Sequence, residues 1–174
     1  MPYNKAEPQE PQWYVIVTRP RAEKKVSEGL AKSGITHFLP LQKQLRQWKD
    51  RKKQVDMVLF NAYLFVCLEE QCRNDVFAVP GVLKYLVAGG RPCTISEEEI
   101  ARIRRICQYE SEIVASSEEF VPGDEVTISG GPLKGLEGTL IEKENAAYLS
   151  IRIEKIGYSV SFKIDRNLVH KRRK

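Results

Sequence analysis

The chain has 174 residues, 42% hydrophobic and 29% charged, an ordinary globular composition with room for one domain or two small ones. No apolar run is long enough to cross a bilayer, and MPYNKAEPQEPQ lacks the apolar core of an export signal, so a cytoplasmic protein without membrane contact is expected. Cys67, Cys72, Cys93 and Cys107 form no C-x-x-C pair and have only His37 and His170 to assist them, which argues against a metal site, a redox pair or an activated thiol; no cofactor is expected.

Residues 1–11, rich in Pro, Gln and Glu, read as a disordered tail. WYVIVT (Trp13 to Thr18) is aromatic and β-branched, the composition of a central strand, and Pro20 ends it. Arg21 to Ser33 spaces Ala22, Val26 and Leu30 four apart, a single apolar helical stripe stopped by Gly34. ITHFLPL follows as a strand. QKQLRQWKDRKKQVDMVLF reads as a hairpin with a basic tip around Asp50 to Lys53. Ala62 to Leu68 is a nearly continuous apolar strand, Glu69 to Val79 a short helix closed by Pro80-Gly81, and VLKYLVAGGRP a strand entering a Gly-Gly turn. Ser96 followed by Glu97 to Glu99 is a helix start, with a hydroxyl cap and carboxylates at the positive end of the dipole. That helix places Ile100, Ile103 and Cys107 on one side and Arg104 and Arg105 in its last turns.

Polar, acidic QYESEIVASSEE reads as a linker. Beyond it only strand patterns appear: EVTIS, GTLIEK, YLSIRIE and YSVSFKI. Charge divides along the same line. The net charge is +5, yet residues 19–53 hold 11 Lys/Arg against 3 Asp/Glu, while residues 119–170 hold 6 against 8. A positive field at one end of one domain attracts a polyanion, and nucleic acid is the commonest large one in a cytoplasm.

The stretch FVPGDEVTISGGPLKGLEGTL, read as Gly123-Asp124, Val126, Gly131-Pro132-Leu133-Lys134-Gly135 and Gly138, resembles a KOW motif. With WYVIVT, LFNAYLFV and VPGVLKYLVAGGRPCTISEEEI in order before it, the chain resembles the NusG family of transcription elongation factors over residues 12–170, in particular its specialised RfaH- and UpxY-type members. One departure is Asn61-Ala62, where the family commonly has Pro-Gly or Pro-Asn before the tyrosine. The resemblance implies an α+β chain. An NGN-type α/β sandwich, an antiparallel sheet with flanking helices, occupies residues 12–109. A linker at 110–118 joins it to an SH3-like KOW β-barrel at 119–170, and a basic tail at 171–174 closes the chain.

The function so implied is that of a monomeric, non-catalytic factor on the β′ clamp helices of RNA polymerase, promoting processive elongation or antitermination of particular operons. Tyr63 and Phe65 share one strand face and Leu64 and Val66 the other. From the pattern alone such aromatics are more often core; the resemblance implies that Tyr63 and Phe65, with Tyr85 and Val17 as lesser members, contact the clamp helices. It implies likewise that Arg19, Arg21, Lys24 and Lys25, and Arg46, Trp48, Lys52 and Lys53 of the hairpin, meet non-template DNA or nascent RNA, although a charge run alone is more often a solvated face. In the barrel, Ile156 and Tyr158 fall where the family contacts the ribosome or a termination factor. A ribosomal or general RNA-binding protein using its KOW barrel is the alternative, disfavoured by the acidic balance of residues 119–170. No paired carboxylates, phosphate loop or nucleophile motif suggests an enzyme.

Overall fold

A computed structural model describes residues 10–47, 50–109, 113–116, 123–143 and 146–172. Most of the tail expected at 1–11, Trp48 and Lys49 at the hairpin tip, much of the segment 110–118 and residues 173–174 lie outside these. In chain order the elements are β1 (Gln12–Thr18), α1 (Glu23–Lys32), β2 (Thr36–Phe38), β3 (Leu41–Gln47), β4 (Lys52–Val58), β5 (Tyr63–Leu68), β6 (Val82–Tyr85), β7 (Val87–Ala88), β8 (Arg91–Pro92), β9 (Thr94–Ile95), α2 (Glu97–Cys107), β10 (Ile113–Ser116), β11 (Asp124–Ile128), β12 (Glu137–Lys143), β13 (Ala146–Ile153), β14 (Tyr158–Lys163) and β15 (Val169–Lys171). The short helix expected at 69–79 is a run of 3₁₀ turns over Glu70–Ala78.

The chain divides into two compact units: residues up to Leu39 with Asn61–Glu97, and Pro40–Phe60 with the rest from Glu98. The hairpin and nearly all of α2 thus group with the C-terminal residues, a different partition from the boundary at residue 109 expected from the sequence.

In the first unit an antiparallel sheet runs β2-β5-β1-β6, and β9 also pairs with β1. β1 is central because Trp13, Tyr14, Val15 and Ile16 are all buried, leaving neither face for solvent. Tyr14, Ile16, Leu64, Val66 and Leu68 form one core with Val26 and Leu30 of α1 and with Val76 and Val79. The α1 stripe is therefore the one read from the sequence, and the chain leaves the helix through Gly34 at φ +71°, a left-handed step that glycine makes without strain.

In the second unit β3 and β4 make a separate two-stranded hairpin, and six antiparallel strands run β10-β14-β13-β12-β11-β15. Val126, Ile128, Leu149, Ile151, Val160 and Phe162 alternate inward as the strand patterns require. The residue of the KOW motif with the strictest steric demand is Gly123, where a Cβ would sit 2.2 Å from the Leu140 carbonyl oxygen; at Gly138 it would sit 2.6 Å from that of Ser150. Three details differ from expectation. Ile113–Ser116, assigned to the linker, is a strand paired with β14 from Ile113↔Phe162 to Ser116↔Ser159, and Lys171, assigned to the tail, pairs with Val126 in β15. On α2 the fully buried residues are Ile100, Ile103 and Ile106, so Cys107 is only half-buried, displaced by its more apolar neighbour.

Candidate functional site

The β1–α1 connection, Arg19-Pro20-Arg21-Ala22, is closed by the Ala22 amide donating to the Arg19 carbonyl at 3.1 Å. Proline second and a positive φ third is the signature of a type II turn, and the third residue here is Arg21 at φ +64°. Turns of this type ordinarily use glycine or asparagine at that point. Arginine there costs about 1 kcal/mol of backbone strain and holds a cation on an exposed bend.

A second left-handed residue stands beside it. Ala62, also at φ +64°, occupies the position before Tyr63 where the sequence departs from the resembling family. Its amide donates to the Glu23 carboxylate at 2.7 Å and its carbonyl accepts from the Thr18 amide at 2.9 Å. Glu23, buried at the start of α1, thus does two things: it places a carboxylate at the positive end of the helix dipole, and it ties down the turn into β5. Nothing in the periodicity marks Glu23 for this role.

β5 then delivers Tyr63 opposite Val17 of β1, and Val17 opposite Lys84 of β6. Cross-strand partners share a face, so Tyr63, Val17 and Lys84 form one row, the first two half-buried and the third exposed. Lys84 is a member of the row that sequence reasoning did not single out, because its position depends on the pairing of β6 with β1.

Phe65 and Tyr85 are not exposed members of this site. Phe65 lies on the face of Tyr63, as its spacing requires, but it is fully buried and stacked on Phe38 with ring centroids 6.0 Å apart. Tyr85 pairs with Ile16, not Val17, which puts it on the opposite face and into the core with Tyr14 and Leu64. Its hydroxyl donates to the Arg73 carbonyl at 2.7 Å, and burial pushes its pKa up to about 12. Both rings are buried because the sheet is covered where they stand, leaving Tyr63 and Val17 as the partly accessible pair.

Arg19, Arg21, Lys24 and Lys25 are all exposed at the end of β1 and on the first turn of α1. The hairpin places Arg46 directly opposite Lys53 and Gln47 opposite Lys52. Like charges across a strand pair destabilise a ribbon. Among the described residues no acidic side chain pairs with Arg46, Lys52 or Lys53, whereas nearer the base Lys43 faces Asp56. Exposed Leu45, two-thirds accessible, stands between them. Trp48 lies outside the described residues.

At the other candidate loop, Ile156 is buried at the end of the 3₁₀ turn Glu154–Ile156, so it serves the core of its unit rather than an open contact. Gly157 at φ +68° turns the chain into β14, and Tyr158 is half-buried with its ring 5.4 Å from that of Phe60. Two of the cysteines are poorly suited to nucleophilic work: Cys93 is buried, and burial raises the Cys107 thiol to about 12.

Residues 11–104, more than half of the chain, match the family described as transcription termination factor nusG. The chain belongs to the NusG family. Curated NusG relatives include the transcription termination/antitermination proteins of Rickettsia conorii, 24% identical over 172 residues that cover 92% of this chain and 90% of the relative, and of Chlamydia pneumoniae, 28% identical over 141 residues that cover 75% and 77%. Among solved structures, that of domain interaction in Thermotoga maritima NusG is similar with a TM-score of 0.56 at 24% identity, covering 94% of this chain and 98% of that one. The fold is thus that of a NusG chain, an NGN domain with a KOW-like β domain. Across the described residues no helix is long and apolar enough to cross a membrane.

Proposed function

We propose that this NusG-family chain is a cytoplasmic, monomeric, non-catalytic transcription factor that binds RNA polymerase at the β′ clamp helices and promotes processive elongation or antitermination of particular operons. The observation that carries the reading is the Tyr63–Val17–Lys84 row, a half-buried aromatic, a half-buried aliphatic and a cation on one sheet face. An aromatic held partly open on a rigid strand is the kind of anchor that dominates a protein interface. Phe65 supports Tyr63 from within, and Tyr85 braces the opposite face. By preferring the closed elongating state of the polymerase, such a contact would shift its population away from pausing. Arg19, Arg21, Lys24, Lys25 and the hairpin cations Arg46, Lys52 and Lys53 would then meet non-template DNA or nascent RNA as phosphate contacts.

The alternative, RNA binding by the KOW-like unit, is disfavoured by its ion pairs. Lys171 lies 3.0 Å from Asp124 and Arg172 3.2 Å from Glu137, so these two C-terminal cations are answered by the unit's own carboxylates. A ribosome or termination-factor contact in that unit would fall to Tyr158 rather than Ile156. The divergence of the chain, 24–28% identical to NusG relatives, supports a specialised duty.

Chromatin immunoprecipitation tests both parts. The wild-type chain should follow RNA polymerase along a few operons, and Tyr63→Ala should lower that occupancy about tenfold or more, as loss of an interface hot spot does, while keeping a native circular dichroism spectrum. Unchanged occupancy of the folded variant would overturn the docking site, and uniform occupancy of all transcribed genes would overturn the specialised duty.

A further inference from the structure

β3 and β4 pair without a break through seven consecutive rungs, from Leu41↔Val58 to Gln47↔Lys52. Cross-strand partners share a face, and so do alternate rungs. One face of the ribbon therefore carries Lys43 with Asp56, Leu45 with Gln54, and Gln47 with Lys52. All six are exposed. The other face carries Gln42 with Met57 and Gln44 with Val55, each buried or half-buried, before Arg46 and Lys53 open toward the tip. The ribbon thus has a packed side and an open side, and Leu45, 66% accessible, stands in the middle of the open one.

Charge selects the class of occupant. Residues 41–58 hold six Lys/Arg against two Asp, and Asp56 is spent facing Lys43 at the base of the hairpin. Such a ribbon draws a polyanion. Shape and side-chain type then choose among polyanions. Two strands about 4.8 Å apart enter the major groove of B-form DNA, which is about 12 Å wide. The major groove of an RNA duplex is too deep and narrow for side chains to read, and single strands are held chiefly by aromatic rings on which bases stack. None of the six open-face side chains is aromatic. Two of them are instead groups that read base edges: an amide suits the N7 and N6 of adenine, and an aliphatic side chain suits the methyl of thymine. Gln54 and Leu45 stand directly opposite each other, so a single rung offers both halves of the signature of A·T pairs.

We propose that the open face of the β3–β4 ribbon lies in the major groove of duplex DNA and reads sequence there, Gln54 against adenine and Leu45 against a thymine methyl. Arg46, Lys52 and Lys53 hold the flanking phosphates. The duplex is the stretch where the non-template strand is still paired with its template. This inference rests on the DNA contact proposed above for the hairpin and deepens it: the cations position the ribbon, and Gln54 and Leu45 select the sequence.

The test uses the full chain, without polymerase, and fluorescein-labelled duplexes of equal length followed by anisotropy. The probes are alternating A·T, alternating G·C, and the A·T duplex with uracil in place of thymine or 7-deazaadenine in place of adenine. Both replacements act in the major groove, the first removing the methyl and the second the N7 acceptor. The A·T duplex should bind about fivefold or more tightly than the G·C duplex. Uracil should weaken binding about threefold or more, the worth of a buried methyl, and 7-deazaadenine about fivefold. Leu45→Ala should become indifferent to uracil while still sensing 7-deazaadenine, and Gln54→Ala should do the reverse. Misfolding cannot produce that crossed pattern, and because both side chains are exposed, native circular dichroism is expected. Equal binding of all four duplexes would overturn the base reading and leave the phosphate contacts of the hairpin standing. Failure to bind any duplex would overturn both, and tighter binding of a single strand or an RNA duplex of the same sequence would overturn the groove.

Discussion

Arg21 and Ala62 hold the same left-handed backbone angle, φ +64°, where glycine would sit without strain. One carries a cation out from the β1–α1 turn; the other is pinned by Glu23 just before Tyr63. Arg21 separates a structural role from a binding role, because the two predict opposite signs. Arg21→Gly should raise stability by about 0.5–1 kcal/mol in urea denaturation, since it removes the steric penalty of a side chain in that region. The same variant should bind single-stranded DNA more weakly and lower the salt slope of binding by up to about 0.7, the contribution of one phosphate contact. Stabilisation with unchanged DNA binding would mean that the arginine is merely solvated. At this scale the sequence showed that Arg21 is basic and that Asn61-Ala62 departs from the family pattern. It could not show that Arg21 is strained, or that Glu23 answers the Ala62 amide from a helix 39 residues away.

Among the elements, the β3–β4 hairpin makes the clearest case that charge placement follows from register. Arg46 opposite Lys53 is an arrangement that a free ribbon disfavours and that a polyanion relieves. Replacing Arg46, Lys52 and Lys53 by glutamine should therefore leave the hairpin as stable or more stable. Affinity for DNA should fall most at low salt, with a binding slope reduced by about 2 for three lost single-strand phosphate contacts. An unchanged slope would remove the hairpin from the interface. The element was legible in the sequence because its arms flank a basic tip, but its pairing partners were not. α1 was legible for a different reason: Val26 and Leu30 repeat at the helical period and are both buried. The 3₁₀ segment Glu70–Ala78 was read only as a helix, because its geometry rests on the packing of Val76 and Val79 rather than on any repeat.

For the molecule as a whole, burial of groups that ionise in alkali sets a limit on the pH of stability. The Cys107 thiol moves from its ordinary 9.0 to about 12 and the Tyr85 phenol from 10.0 to about 12, each chiefly through burial. Both are neutral when protonated, and the folded chain holds those protons more tightly than the unfolded one. Their stabilisation is complete below pH 9 and is lost as pH rises toward 12. The melting temperature should therefore fall through that window, and Cys107→Ala should flatten the fall by up to about 1.4 kcal/mol per pH unit, one proton's worth. Parallel curves for the variant and the wild type would show that the thiol is accessible. Strand alternation, the α1 stripe and the uneven charge were written along the chain, because they depend on near neighbours and on the two short periods of regular structure. The family resemblance rested on motifs of the same local kind. Long-range pairing decided the rest. Whether Phe65 faces a partner or is sealed over, whether Tyr85 sits on its side of the sheet or the other, and which residue stands beside Val17 all follow from which strands meet and in what register. Those contacts join residues far apart in sequence, where no short-period pattern reaches.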